Sequence, residues 1–222
     1  MNNDDFKKKN EVLIKFLIQN KFLKTKRLIT AFKKIPRHIF VPPQFLNYAY
    51  DDLALPIAKN STISQPSTVA TMLELIQPKK NEKILEIGTG SGWQASLLAY
   101  IVGRYGKIIT LDINKKVIEF ATNNIKKTNL KNIKIIYRDG SYGYKDAAPY
   151  NKIIYTAAVS NIPNSVIQQL KINGVLIAPF GNKYFQTLKL IKRDSKKRVS
   201  EIEYGQFQFV PLKGKLALSD SD

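Results

Sequence analysis

Leu85-Glu86-Ile87-Gly88-Thr89-Gly90-Ser91-Gly92-Trp93-Gln94-Ala95 decides how the rest of the chain is read. The apolar run Lys83 to Ile87 leads into it as a strand, and Gln94 to Val102 leaves it as a helix. Glycines at three alternate positions let the backbone bend sharply and let a ligand approach, because no Cβ stands in the way. A strand, a glycine turn and a helix N-terminus together present unpaired N–H groups to a polar or anionic ligand. The spacing is G-x-G-x-G, however, and the dinucleotide fingerprint is G-x-G-x-x-G. Glu86, inside the strand, would repel a pyrophosphate and would suit a nucleoside cofactor that carries positive charge.

Downstream of this turn, strands and helices alternate. Lys107–Leu111 reads as a strand ending in Asp112, Lys115–Lys127 as a helix, and Ile133–Tyr137 as a strand before the turn Arg138-Asp139-Gly140-Ser141-Tyr142-Gly143. Lys152–Thr156 (strand), Ser165–Leu170 (helix) and Val175–Ala178 (strand) complete the alternation, which implies a parallel sheet with helices on both faces. Leu188–Lys192 and Glu201–Val210 suggest an antiparallel addition around the charged turn Asp194–Arg198. Upstream, residues 6–34 carry apolar positions at the helical period, residues 44–64 read as irregular, and Pro66 stands well as the first residue of a helix running to Pro78. The expectation is a single domain over 1–222, with a helical extension and substrate-side segment over 1–60, a cofactor-binding core over 61–182 and C-terminal antiparallel strands over 183–222.

In open α/β sheets ligands bind beyond the carboxyl ends of the strands. Asp112 falls there, about 20 residues past the turn, where a carboxylate commonly accepts both hydroxyls of a ribose. Capping the helix that follows is the other reading. Asp139 ends the next strand; it could contact a nucleobase, or serve only as a turn residue, since Asp-Gly is a common turn pair. Ser64 and Gln65, just before Pro66, sit near the positive end of a helix dipole, a good place for a carboxylate; simple N-capping is the other reading.

Composition narrows the classes. There is no cysteine, which excludes a disulfide framework and thiolate catalysis. No run approaches the roughly 18 apolar residues of a membrane span, and the polar start Met1-Asn2-Asn3-Asp4-Asp5 does not resemble a secretion signal, so a soluble cytoplasmic protein is expected. The net charge of +19 raises the question of nucleic acid. Yet the lysines are scattered among many Asn and Ile residues, as biased base composition produces, and Lys7-Lys8-Lys9, Lys33-Lys34, Lys192-Arg193 and Lys196-Lys197-Arg198 read as solvated faces and a hairpin turn. No G-x-S-x-G elbow occurs, the only histidine, His38, reads as structural, and no His/Cys/carboxylate cluster has metal-ligand spacing.

The chain resembles the protein-L-isoaspartate O-methyltransferases. The resemblance is carried by Arg37-His38-Ile39-Phe40-Val41-Pro42, Ala49-Tyr50-Asp51-Asp52, Leu55-Pro56-Ile57, Thr62-Ile63-Ser64-Gln65-Pro66, the glycine turn, Asp139-Gly140-Ser141-Tyr142-Gly143, Ala148-Pro149-Tyr150-Asn151, Thr156-Ala157-Ala158 and Phe209-Val210-Pro211-Leu212. The glycine turn is common to many methyltransferases; Thr-Ile-Ser-Gln-Pro together with Phe-Val-Pro-Leu is much more specific. The resemblance implies a Rossmann-like, doubly wound, mostly parallel α/β sheet and methyl transfer from S-adenosylmethionine, leaving S-adenosylhomocysteine. The acceptor would be the free carboxylate of isoaspartyl residues in proteins and peptides, and the ester would close to a succinimide.

By the same resemblance Ser64 is the active-site serine, and Thr62, Ser64, Val210 and Leu212 meet the substrate. Ile63, Gln65, Glu86, Gly88, Thr89, Gly90, Ser91, Asp112, Ile113, Asp139 and Gly140 hold the cofactor. The stretch ending Phe209-Val210-Pro211-Leu212 is expected to be a strand that closes over the peptide. The chain departs from the family pattern at Trp93 (usually Tyr), Asp112 (usually Glu), Arg138 (often Gly) and Asn60-Ser61-Thr62 (usually Gly-Gln-Thr). A monomer without metal or membrane contact is expected, and nucleic acid is not an expected partner. The rival readings are a methyltransferase acting on another carboxylate or on RNA, and a catalytically silent RNA-binding protein. A cytosine-C5 enzyme would need a cysteine nucleophile, and an amino-methylating one usually carries Asn/Asp-Pro-Pro-aromatic where this chain has Thr156-Ala157-Ala158-Val159.

Overall fold

The computed structural model describes residues 3–58, 60–196 and 198–217; Lys197 of the expected charged turn, Lys59 and the outermost residues of the two terminal segments lie outside them. Two helices open the chain, α1 (Asn3–Gln19) and α2 (Lys26–Lys34), followed by 3-10 turns at Arg37–Phe40 and Pro43–Tyr48. The region expected to be irregular contains a hairpin, β1 (Leu55–Ala58) and β2 (Ser61–Ile63), and then α3 (Pro66–Ile76) begins with Pro66 at its first position. Asn60 makes the hairpin turn at φ 60°, so the left-handed conformation is met there without glycine.

Next come β3 (Lys83–Ile87), α4 (Trp93–Val102), β4 (Lys107–Asp112), α5 (Lys115–Lys126), β5 (Ile133–Tyr137) and β6 (Tyr150–Tyr155). The last elements are α6 (Asn164–Ile167), β7 (Leu170–Gly181), β8 (Gln186–Arg193) and β9 (Val199–Phe207). One seven-stranded sheet has the order β5-β4-β3-β6-β7-β8-β9; the first five of these run parallel and the last two pair antiparallel.

Alternation along the central strands divides the core. Ile84, Ile108, Ile154 and Ile177 face the cluster that holds Leu13, Leu17, Leu28 and Phe32 of α1 and α2, whereas Leu85, Ile109, Ile153 and Leu176 face the opposite cluster. Burial on both faces explains why these strands read as continuous apolar runs. The helices are unevenly shared. The second cluster is covered by Val166 of the short α6, by Ala147 of a 3-10 turn (Lys145–Ala147) and by loop residues such as Tyr144, so the expectation of helices on both faces holds there only lightly.

Several expected boundaries move. The expected helix Ser165–Leu170 is the shorter Asn164–Ile167, and β7 is longer than Val175–Ala178 because Leu170 pairs with Tyr150 at its start and β8 pairs with it through to Gly181. The expected strand Glu201–Val210 is instead Val199–Phe207, and residues 208–212 leave the ladder. Ala158 forms an isolated parallel bridge with Pro211, which has no N–H to donate to a continuing ladder.

The chain moves outward from β3 to β4 and β5, then returns to place β6 on the other side of β3. That reversal opens a crevice at the carboxyl ends of β3, β4 and β6, where open α/β sheets bind ligands.

Candidate active site

A cleft of about 360 Å³ occupies that crevice. All the site residues read from the sequence line it, from Thr62–Gln65 through the glycine turn to Val210 and Leu212, with the exception of Asp139.

The glycine turn is formed by backbone. Gly88 and Thr89 donate their amides to the Leu111 carbonyl, and Gly88 holds φ +99° with Thr156 so close that a Cβ would lie 2.1 Å from its hydroxyl. Thr156 Oγ1 in turn donates to the Gly88 carbonyl at 2.7 Å. Thr89 and Ser91 are buried and turn their side chains inward: Thr89 Oγ1 meets Thr110 Oγ1 at 2.8 Å, and Ser91 Oγ accepts from the Trp93 amide at 3.3 Å. What these two offer the cleft is therefore main chain.

Beneath the turn lies Glu86, fully buried. Thr110 Oγ1 donates to Glu86 Oε2 at 2.6 Å, and since Thr110 has one proton to give, Thr89 donates to Thr110. Glu86 Oε1 and the buried Nε2 of Gln94, which also lines the cleft, make no well-formed hydrogen bond, although the Gln94 side chain stands close enough to favour the charged carboxylate. Burial pushes the Glu86 carboxyl up to about 8; the Thr110 hydrogen bond and the Gln94 side chain oppose that rise, and the nearby Asp112 charge adds to it. A buried carboxyl oxygen without a well-formed hydrogen bond at the floor of a cleft is a group whose unmet bonding calls for an explanation.

Asp112 ends β4, its Oδ2 3.3 Å from the Gly90 amide and its Oδ1 3.0 Å from the Asn114 amide. Burial raises its pKa, against hydrogen bonds from the Asn114, Gly90 and Ile113 backbone. The capping alternative falls to a neighbour: Asn114 is the N-cap of α5, accepting from the Lys116 amide at 3.0 Å. Asp139 is turned elsewhere. Its carboxylate accepts from the backbone amides of Ser141 (2.8 Å) and Lys215 (2.9 Å), and it lines a neighbouring cavity. Burial would raise its pKa, but these hydrogen bonds outweigh that and hold it below the usual carboxylate range. Gly140 does line the cleft, packed so that a Cβ would meet Ile87 Cγ2 at 2.5 Å.

The opposite wall is Thr62–Gln65, and two residues given no role from sequence hold it. Arg37 is buried, with its Nη1 donating to the Ala49 carbonyl at 3.0 Å and its Nη2 to Leu53 (2.8 Å) and Ser64 (3.1 Å). Asp52 accepts from the Ser67 amide at 2.8 Å and from Gln65 Nε2 at 3.0 Å, doing for α3 what a capping side chain at Gln65 does not. No spacing marks either residue; both lie inside stretches that carry the family resemblance. His38 is tied into the core, stacked on Phe6 at 4.2 Å with its Nδ1 2.5 Å from the Tyr50 hydroxyl.

Residues 209–212 form a strap over the same cleft. Gln186, buried, accepts from the Phe209 amide at 2.7 Å, while Ala158 donates to the Val210 carbonyl (2.9 Å) and accepts from the Leu212 amide (2.8 Å). Among the described residues no group of three or more His, Cys, Asp or Glu could hold a metal ion, and no helix is long and apolar enough to cross a membrane.

The chain is similar in sequence and fold to known proteins. A protein-family model described as Protein-L-isoaspartate(D-aspartate) O-methyltransferase matches residues 7–217. A relative from Archaeoglobus fulgidus, Protein-L-isoaspartate O-methyltransferase 2, is 40% identical over 210 residues, covering 95% of each chain. A solved protein-L-isoaspartate O-methyltransferase superposes with a TM-score of 0.85 at 28% identity, over 93% of this chain and 67% of its own. A Plasmodium falciparum structure, described as a putative enzyme of that type in complex with S-adenosyl-L-homocysteine, shares the fold with a TM-score of 0.82 at 23% identity, over 92% of this chain and 98% of its own.

Proposed function

We infer the chemistry of the cleft from one premise: the chain belongs to the protein-L-isoaspartate(D-aspartate) O-methyltransferase family. It is an S-adenosylmethionine-dependent enzyme that methylates the free carboxylate of L-isoaspartyl residues in proteins and peptides. The cofactor supplies an activated methyl group on a sulfonium. What supports its place at the carboxyl ends of β3 and β4 is Glu86 Oε1, a buried acceptor without a well-formed hydrogen bond that an ammonium would complete. In our reading Glu86 receives that ammonium, Asp112 the ribose hydroxyls, and the Gly88–Gly90 backbone forms the wall the cofactor lies against.

The acceptor needs no general base. A carboxylate with a pKa near 4 is already ionised at neutral pH, which accounts for a site built without a catalytic His, Cys or Lys. The work left to the protein is to bring two reactants to about 3–3.5 Å in line and to exclude water. We assign Ser64 to orienting the acceptor carboxylate by hydrogen bonding, not to nucleophilic attack, and the 209–212 strap to covering the peptide. The ester formed would close to a succinimide without further help. We further propose a cytoplasmic monomer with no nucleic-acid role, the high charge being compositional.

One observation carries the assignment: the glycine turn over Glu86 and the Thr62–Gln65 wall line one cleft. Labelled-methyl transfer to an isoaspartyl peptide and to its aspartyl counterpart tests it. Labelling of the isoaspartyl peptide alone is expected; equal labelling, or none, would sink it. Methyl transfer to RNA under the same conditions would favour the rival acceptor.

A further inference from the structure

Arg37 spends its guanidinium on main chain. It donates to carbonyls at Ala49, Asp51 (3.4 Å), Leu53 and Ser64, so one side chain ties the end of the 3-10 turn, the approach to β1 and the serine of the site. Its charged end lies over the Trp93 ring, 5.5 Å from the centroid, at the start of α4. It is 1% exposed, and its Nε has no hydrogen-bond partner. Burial lowers its pKa to about 10, with Asp52 and Asp51 acting the other way, so it is charged at neutral pH. Burying a cation costs several kcal/mol unless paired and hydrogen-bonded. A packing role alone would be met by an apolar side chain of similar length. A rigid fork that reaches several carbonyls at fixed angles is what Arg offers and Lys does not.

The serine is held from its other side as well. Asp52 fixes the Gln65 side chain and the Ser67 amide, so the two charged groups bracket residues 64–67. We propose that Arg37, backed by Asp52, is a positioning residue for Ser64, setting where its hydroxyl meets the acceptor carboxylate; this rests on the Ser64 assignment above. The contact is made to the carbonyl of the same residue, so a lost hydrogen bond there displaces the hydroxyl directly. A displacement on the order of 1 Å is enough to cost roughly 100-fold in rate.

A double-mutant cycle on the full-length protein tests this, with kcat and KM for an isoaspartyl peptide and the Kd for S-adenosylhomocysteine measured throughout. Ser64→Ala alone should lower kcat roughly 100-fold, and Arg37→Lys roughly 30-fold, each leaving the Kd within about twofold. The double variant should turn over within about threefold of Ser64→Ala, because a group that acts through Ser64 has nothing left to act on. A purely structural role would multiply the two losses and would weaken S-adenosylhomocysteine as well; either result overturns the proposal, as does an Arg37→Lys protein with wild-type kcat. If Ser64→Ala itself keeps wild-type kcat, the Ser64 assignment fails first and visibly. Should Arg37→Lys not fold, the same cycle with Asp52→Asn decides: coupled losses support the clamp and independent losses overturn it.

Discussion

The cofactor wall of the cleft is built mainly of backbone around a glycine turn, and the acceptor wall is held in place mainly by side chains. Gly88, Thr89 and Gly90 take their shape from β3, from the Leu111 carbonyl on the adjacent strand and from positive φ angles. The Ser64–Ser67 stretch and the strap are held by Arg37, Asp52, Ala158 and Gln186, side chains and backbone that lie 13 to 54 residues away from what they hold. The first wall is backbone held in a strained turn, and only a substitution that adds bulk or removes the φ freedom will disturb it. The second is a set of hydrogen bonds across the sequence, where a conservative change of side chain is enough.

The largest effect should come from Gly88→Val. Its Cβ would meet Thr156 Oγ1 at 2.1 Å, and a β-branched residue at φ +99° adds backbone strain of about 1–3 kcal/mol. Calorimetry should find no S-adenosylhomocysteine binding and no turnover. Retention of the wild-type affinity within about tenfold would mean that this wall does not depend on its backbone shape, and the contrast between the two walls would break.

The contrast also explains what could be read in advance. Strand–turn–helix with G-x-G-x-G is a local pattern, and so are Glu86 inside the strand and Asp112 at the end of the next; the cleft contains all of them. Thr110, Arg37, Asp52 and Gln186 act across the fold, and nothing in their own neighbourhood announces a partner 15 to 27 residues away. Asp139 shows the limit from the other direction. Its position after β5 suggests the cleft, but its carboxylate is taken by the amides of Ser141 and Lys215, the latter 76 residues on. The strap was visible as Phe209-Val210-Pro211-Leu212 yet misread as strand, because the bridge to Ala158 that replaces the ladder is a tertiary contact.

A smaller effect should separate the walls by kinetics. Gln186→Met keeps the volume but leaves the buried Phe209 N–H without its acceptor, a loss of about 1–3 kcal/mol. The strap is the part that loosens, so KM for the isoaspartyl peptide should rise roughly tenfold, at about 1.4 kcal/mol per decade. The Kd for S-adenosylhomocysteine should stay within about twofold. Equal weakening of both would show that the strap serves the cofactor wall too, and that the division drawn here is in the wrong place.

The smallest effect is a pH dependence of stability, and it belongs to the cofactor wall. In the unliganded protein the Glu86 carboxyl titrates near 8, well above an exposed glutamate, because burial penalises its charge. The folded state therefore binds a proton that the unfolded chain has released. The contribution of Glu86 to stability is full below about pH 4.3, the unfolded value, and is lost progressively as the pH rises through about 8. Glu86→Gln removes the titration, keeps the size of the side chain and still offers an amide oxygen to accept from Thr110 where Glu86 Oε2 does. Thermal melts without cofactor should then show the variant and the wild type diverging as the pH climbs from 6 to 9, with the variant melting higher by about 5 °C at the upper end. Curves that stay parallel across that range would mean Glu86 is charged in the empty cleft, and that its orphaned oxygen is satisfied before any cofactor arrives.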